Sequence, residues 1–223
     1  MNIYELIGLI IGDGHISYKN KSWYLELDGD IKDDRDYFQK IANFLFKITK
    51  RNPIIKIRKR KKGYSLELRF NNKKFVEYLI KKLNLKFGNK IFTVKIPEKF
   101  VDWRYSKDIL KGIFESDGSL YFSKSKAIKY PSYPRIEIKT SSKKLAKQIF
   151  EILKNREFKI NINKTKYKDY KVYISGEEML KKWIKEIGFS NLATITKYRL
   201  WKKLGYYIPR ITFEKRKKLL KIK

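Results

Sequence analysis

Two aspartates, Asp13 and Asp117, recur in the same local frame half a chain apart. Residues 6–14 read LIGLIIGDG and residues 110–118 read LKGIFESDG. Gly8 aligns with Gly112, Gly12 with Ser116, Asp13 with Asp117 and Gly14 with Gly118. A carboxylate at a helix C-terminus faces the negative end of the dipole, and two such carboxylates side by side also repel. A divalent cation reverses the sign of that cost. An oxygen donor set with open positions suits Mg²⁺, which keeps waters and accepts phosphate oxygens. The chemistry such a pair could do is metal-assisted cleavage of a phosphodiester.

The elements that must position the pair can be read around it. Small residues four apart (Gly8 and Gly12, Gly112 and Ser116) share one helix face and let two backbones approach closely. Leu6, Ile7, Leu9, Ile10 and Ile11 leave the first helix apolar nearly all round, so it should be buried against the second. Gly14 and Gly118 are expected to end the helices as left-handed residues. After the first motif, Ser22–Leu27 alternates as a strand and Asp33 or Asp34 caps a helix running to about Phe46. Ile54–Arg60 and Tyr64–Phe70 form a hairpin, and a helix fits Lys73–Leu83. After the second motif, Ser119–Phe122 and Arg135–Lys139 read as strands. Ser141 or Ser142 caps a helix through Leu153, Lys159–Tyr167 and Tyr170–Ile174 pair as a hairpin, and Glu177–Ile187 is helical. The expected class is α+β: two pseudo-symmetric αββαββα halves with antiparallel sheets around a central helix pair. Residues 1–84 form the first half, 85–108 a linker, 109–189 the second half, and 190–223 a basic helical extension broken near Gly205–Pro209.

The charge points to a polyanionic partner. The chain has 223 residues, with 55 Lys and Arg against 23 Asp and Glu, a formal net of +32. Through Asp108 the count is 25 basic to 13 acidic, and beyond it 30 to 10, so both halves are basic. A basic face of that length fits a nucleic-acid backbone. No apolar run reaches the roughly 18 residues of a spanning helix, and no charged n-region precedes an apolar stretch. A membrane partner and a signal peptide are therefore not expected, and the protein is placed in the cytoplasm. Cysteine is absent and His15 is the single histidine, which excludes disulfides, thiolate sites and histidine-rich metal sites. Abundant charge and only two glutamines fit a hot, archaeal habitat or an AT-rich genome.

With these residues in hand, the chain resembles the LAGLIDADG homing endonuclease family of the double-motif type. LIGLIIGDG and LKGIFESDG match its two motifs, and the likeness extends over nearly the whole chain. The resemblance implies a monomer whose two saddle-shaped sheets lie in the major groove of a long asymmetric double-stranded DNA site. It implies that Asp13 and Asp117, with Gly12 and Ser116, hold divalent cations at the minor groove and cut both strands to leave short 3′ overhangs. Mg²⁺ is the expected ion, with Mn²⁺ substituting and Ca²⁺ binding without turnover. The family also places a basic residue before the second helix of each half. Lys32 holds that place in the first half; in the second it falls on Thr140, with Lys139 beside it. Lys56, Arg58, Arg60, Tyr64, Arg69, Lys164, Lys166, Tyr167 and Tyr173 are candidate nucleic-acid contacts, because base identity is legible in the major groove. The sequence does not separate base contacts from phosphate contacts. His15 reads as an exposed or hydrogen-bonded residue, and Glu115, matched by Ile11, as inessential. The chain begins with Met1 and lacks a Cys- or Ser/Thr-led splicing block and a terminal His-Asn, so a free-standing or intron-encoded protein is expected rather than an intein. An RNA-binding intron maturase, a non-catalytic DNA-binding regulator on the same scaffold and, more remotely, a ribosome-associated basic protein are the alternatives.

Overall fold

The computed structural model describes residues 1–124 and 129–222; residues 125–128 and Lys223, the last residue of the basic extension, lie outside that description. The first half runs α1 (Ile3–Ile11), β1 (His15–Lys19), β2 (Ser22–Gly29), α2 (Arg35–Thr49), β3 (Ile54–Lys59), β4 (Tyr64–Asn71) and α3 (Lys73–Glu77). The second runs α4 (Trp103–Asp117), β5 (Gly118–Ser123), β6 (Tyr133–Thr140), α5 (Lys143–Lys154), β7 (Ile160–Lys164), β8 (Tyr170–Ser175) and α6 (Glu177–Glu186). Each half is thus αββαββα. Its four strands form an antiparallel sheet of order β1-β2-β4-β3 or β5-β6-β8-β7. The basic extension is α7 (Leu192–Leu204) and α8 (Phe213–Leu220), separated at Gly205, which is left-handed with φ +75°. No helix among the described residues is long and apolar enough to cross a membrane.

Local sequence explains most boundaries. Asn2, Asn72, Asp102, Ser142, Asn191 and Thr212 each accept a first-turn amide with their side chains, as good N-caps do. Asp102 starts α4 at Trp103, inside the stretch read as linker. The helix read over Lys73–Leu83 widens into a π-helical turn from Tyr78 to Lys82. Alternation buries one face of each sheet. Leu25, Leu27, Leu66, Leu68 and Phe70 point inward in the first, and Leu120, Ile136, Ile138, Val172 and Ile174 in the second. β1 is the strand the sequence hid, because HISYK alternates too briefly to register.

The two motif helices pack along each other at the centre. A Cβ on Gly8 would meet Ile109 O and stand 2.8 Å from Gly112 Cα; a Cβ on Gly112 would meet Glu5 O and stand 2.9 Å from Gly8 Cα. Nothing but glycine fits either place without moving backbone. Gly14 and Gly118 do a different job from the expected one. Neither has positive φ, and Gly118 is extended (φ −96°, ψ 165°). Their lack of a side chain matters instead, since a Cβ would press on Ile10 Cα at Gly14 and on the Phe114 ring and carbonyl at Gly118. β5 follows α4 directly and β1 follows α1 after Gly12–Gly14, in both cases too close to the last turn for a Cβ at the glycine.

Replacing Gly8 or Gly112 with Leu should therefore cost about 3 kcal/mol or more by overpacking. For a domain of this size that lowers the melting temperature by roughly 6–12 °C. Thermal melts followed by circular dichroism, with Lys62→Ala in the exposed hairpin as reference, check this. An unchanged melt would remove the close backbone contact.

Candidate active site

Asp13 and Asp117 leave the ends of α1 and α4 and meet between the halves, close enough for each carboxyl to act on the pKa of the other. They share a cleft of about 460 Å³ with Gly12, Ser116, Lys90, Ile91, Lys139, Thr140, Ser141 and Asp169. A second cleft of about 410 Å³ opens on the first-half side of Asp13, lined by Asp28, Asp30, Asp34, Arg60, Glu115 and Ser116 among others. The central pair therefore has a hollow on either side, one per half.

Burial sets the electrostatics. It pushes the Asp117 carboxyl up to about 7, with the nearby Asp13 charge adding to the rise. Asp13 is raised as well, chiefly by desolvation, against the pull of the Lys90 charge. Two neighbouring carboxyls whose pKa values are both raised mark a place short of positive charge. Lys90 supplies part of it. Its ammonium donates to the carbonyls of Ile10, Ile11 (2.7 Å) and Gly12 (2.8 Å), the orphan acceptors at the end of α1. Desolvation brings the Lys90 pKa down to about 8, while Asp117 and Asp13 oppose that shift.

Lys90 was not among the residues read from the sequence. It sits in the segment after α3, far from either motif in the chain. That segment is pinned at both ends: Gly88 N donates to Ile16 O, and Ser142 Oγ donates to Val94 O at 2.6 Å. Gln148 completes the junction by a two-way bond with Ile96 (2.8 and 2.9 Å). The tail of the first half thus clamps the start of α5 in the second. The tail of the second half does the reverse. Asn191 Nδ2 donates to Asp34 Oδ1 at 2.6 Å and Lys40 Nζ to Ser190 O at 3.1 Å.

Glu115 belongs to that second junction. Its Oε1 accepts the amides of Ser190 and Asn191, while Oε2 is closed off from solvent with no hydrogen-bond partner. Burial pushes its pKa up to about 8. Read as inessential from its mismatch with Ile11, Glu115 proves to be a structural acid held neutral by its surroundings.

The other sequence candidates divide. Lys139 lines the cleft and pairs with Asp169 at 2.9 Å. Lys32 is exposed in the turn before α2, its amide bound to Asp30 Oδ1 at 2.7 Å, and the two acidic clefts are lined without it. Gly12 offers its carbonyl to Lys90, and Ser116 Oγ turns back onto Gly112 O and Ile113 O. His15 is exposed and faces Glu26 across the β1–β2 pair. Lys56, Arg58, Arg69 and Tyr173 occupy the outer faces of the sheets, and Arg60 stands at the rim over Asp28. Lys166 and Tyr167 are exposed in the β7–β8 turn. Tyr64 and Lys164 are exposed at strand ends. Register aligns Tyr64 with Lys59 on the face of Leu66, and Lys164 with Tyr170 on the face of Ile162 and Val172. The same alternation places Arg135, Asn161, Asn163 and Lys171, none of them read from the sequence, on the outer face.

Residues 3–181 match the model of the LAGLIDADG DNA endonuclease family. The chain belongs to this family. Among solved structures it is similar to the homing endonuclease I-DmoI in complex with DNA and Mn, at 21% identity and a TM-score of 0.58, over 84% of this chain and 96% of that one. A variant of I-SmaMI matches at 14% identity and a TM-score of 0.61, over 92% and 91%. The N-terminal LAGLIDADG domain of DUF199/WhiA matches at 16% and 0.54, over 85% and 81%. These likenesses show the fold. Two curated relatives are replication factor C small subunits, from Thermococcus kodakarensis (30% identity over 84% of this chain) and Methanocaldococcus jannaschii (28% over 86%). The chain spans 19% and 10% of their lengths, so their activities are not carried over.

Glu115 carries a pH signature. Its folded pKa lies above the value of about 4.5 for a free carboxyl, so the native state holds a proton the unfolded chain has released. Its contribution to stability is full below about 4.5 and is lost as pH rises towards 8. Glu115→Gln copies the neutral acid. It should melt within about 2 °C of the parent at pH 5 and higher than the parent at pH 8.5, as linkage requires. Equal differences at both pH values would show that Glu115 is ionised in the native state.

Proposed function

We propose that the protein is a site-specific double-strand DNA endonuclease acting as a monomer on a long asymmetric target. The observation that carries this reading is the pair Asp13–Asp117, delivered by two helices to the junction of two basic halves within one chain. One chain supplies both carboxylates, so no second copy is needed to complete the pair. The halves differ in residue and charge, so the two DNA half-sites need not be palindromic.

The residues fit a hard divalent cation. The donors are carboxylate oxygens that line the clefts, and among the described residues no three Asp, Glu, His or Cys side chains gather into a closed cage. Such a pair suits an ion that keeps waters and takes phosphate oxygens, as Mg²⁺ or Mn²⁺ does. Asp13 and Asp117 would hold it, and when bound it would polarise the phosphate and acidify a water. Lys90 holds the turn that presents Asp13 and lends positive charge beside the pair. Lys139, tied to Asp169, lies within the same cleft to meet the phosphate. The basic sheets would lie along the duplex on either side, and cutting across the minor groove would leave short 3′ overhangs. I-DmoI was crystallised with DNA and Mn and with DNA and Ca, which supports a cation-dependent reading for this fold.

The test is a plasmid library with random inserts, incubated with Mg²⁺, with broken ends mapped by sequencing. A unique recurrent break supports the reading. Binding without breaks would favour a non-cutting DNA regulator, and preference for structured RNA would favour a maturase. Asp13→Asn and Asp117→Asn should each reduce cleavage by about a thousandfold or more, given how much transition-state charge one such group stabilises. Duplex affinity in Ca²⁺ should stay near that of the parent in gel-shift titrations. Wild-type cutting by either variant would overturn the assignment.

A further inference from the structure

The outer face of the first sheet, placed against DNA by the reading above, is laced with acid. Glu67 stands at its centre on β4 with its side chain only 3% exposed. One oxygen holds Lys56 Nζ at 3.3 Å and the other Arg58 Nη1 at 2.7 Å, both from β3 and both about half exposed. Beside them Arg69 Nε meets Glu26 Oε1 at 3.0 Å, its guanidinium 4.2 Å over the Tyr24 ring. Arg60 pairs with Asp28 and donates to Ser65 Oγ at 2.9 Å. All four cations are therefore anchored to carboxylates of the same face. The second sheet is built more sparsely. On its strands Glu137 takes Lys171 at 2.9 Å and Tyr121 Oη at 3.2 Å, while Arg135 leans on Ser123 Oγ.

A carboxylate at the centre of a polyanion-binding face opposes binding, so its presence there asks for a compensating role. Phosphate contacts supply affinity without sequence information and depend on cations moving to the backbone as counterions leave. Guanine offers two acceptors, O6 and N7, to an arginine held in the right plane. A side chain already fixed in place loses less entropy when it meets them. Glu67 fixes two such side chains at once.

Resting on the DNA-binding reading, we propose that Glu67 is a specificity-determining positioning residue. It holds Lys56 and Arg58 as a fixed fork for base edges and withholds both from the phosphate backbone. The first sheet then discriminates between sequences, while the rest of the basic surface, the C-terminal extension included, supplies most of the sequence-independent grip.

The test compares the full-length protein with Glu67→Gln, which keeps the shape and removes the charge. Each is titrated with an alternating dA-dT duplex across a salt series, and each is used to select from a pool of randomised duplexes. Two released cations should steepen the log K against log salt slope by about 1–2 and tighten non-specific binding by about threefold or more. The selected pool should lose base preference over a short run of positions. Adding Lys56→Met and Arg58→Met to Glu67→Gln should erase the gain. Arg58→Met alone, which does not depend on the folding of the Glu67 variant, should lose one base preference and leave the non-specific slope unchanged. An unaltered slope in Glu67→Gln, equal weakening on every duplex, or a slope reduced by about 1 in Arg58→Met would each overturn the proposal. If the parent selects a sequence and Glu67→Gln selects it equally, this inference fails alone. If the parent selects no sequence, the DNA-binding reading fails and takes it along.

Discussion

The rest of the structure depends on the absence of side chains where α1 and α4 cross. Gly8 and Gly112 set the two backbones against each other with Cα–Cβ distances that leave no room for a methyl group. That contact fixes how close the two helix ends come, and so how close Asp13 and Asp117 come. It also sets the spacing of the two sheets, since each strand β1 and β5 leaves its helix within a few residues. Gly14 and Gly118 make that immediate departure sterically feasible. A small change in this seam would be transmitted to both carboxylates and both sheets.

Bringing two acids together in a desolvated place raises both of their pKa values, and the fold answers with cations from elsewhere. Lys90 is carried in by the tail of the first half, which crosses to the second half and ties Val94 and Ile96 to Ser142 and Gln148. The tail of the second half, held on its way by Glu115 of its own α4, crosses the other way to Asp34 and Lys40. The central helix pair is thus braced by two reciprocal straps. Each strap fastens the start of the opposite half's second helix, next to one of the two clefts. The +32 chain is not uniformly basic either: its first sheet neutralises its own cations on the face it turns outward.

What the sequence by itself determined was whatever repeats locally. The duplicated small-residue and Asp spacing, the inward alternation of the strands and most helix starts are set by neighbours a few residues apart, and so the αββαββα halves, the central pair and the family were legible. The tertiary structure alone decided what depends on residues far apart in the chain. Lys90 reaches the site across about eighty residues. Glu115 owes its raised pKa to burial under residues some seventy-five positions on, whose backbone amides pull the other way. The outer-face ion pairs of Glu67 follow from β3–β4 register rather than from any motif. The role of Gly14 and Gly118 changed for the same reason. A sequence shows that glycine is present, but only packed neighbours show whether its φ or its missing Cβ is what the fold requires.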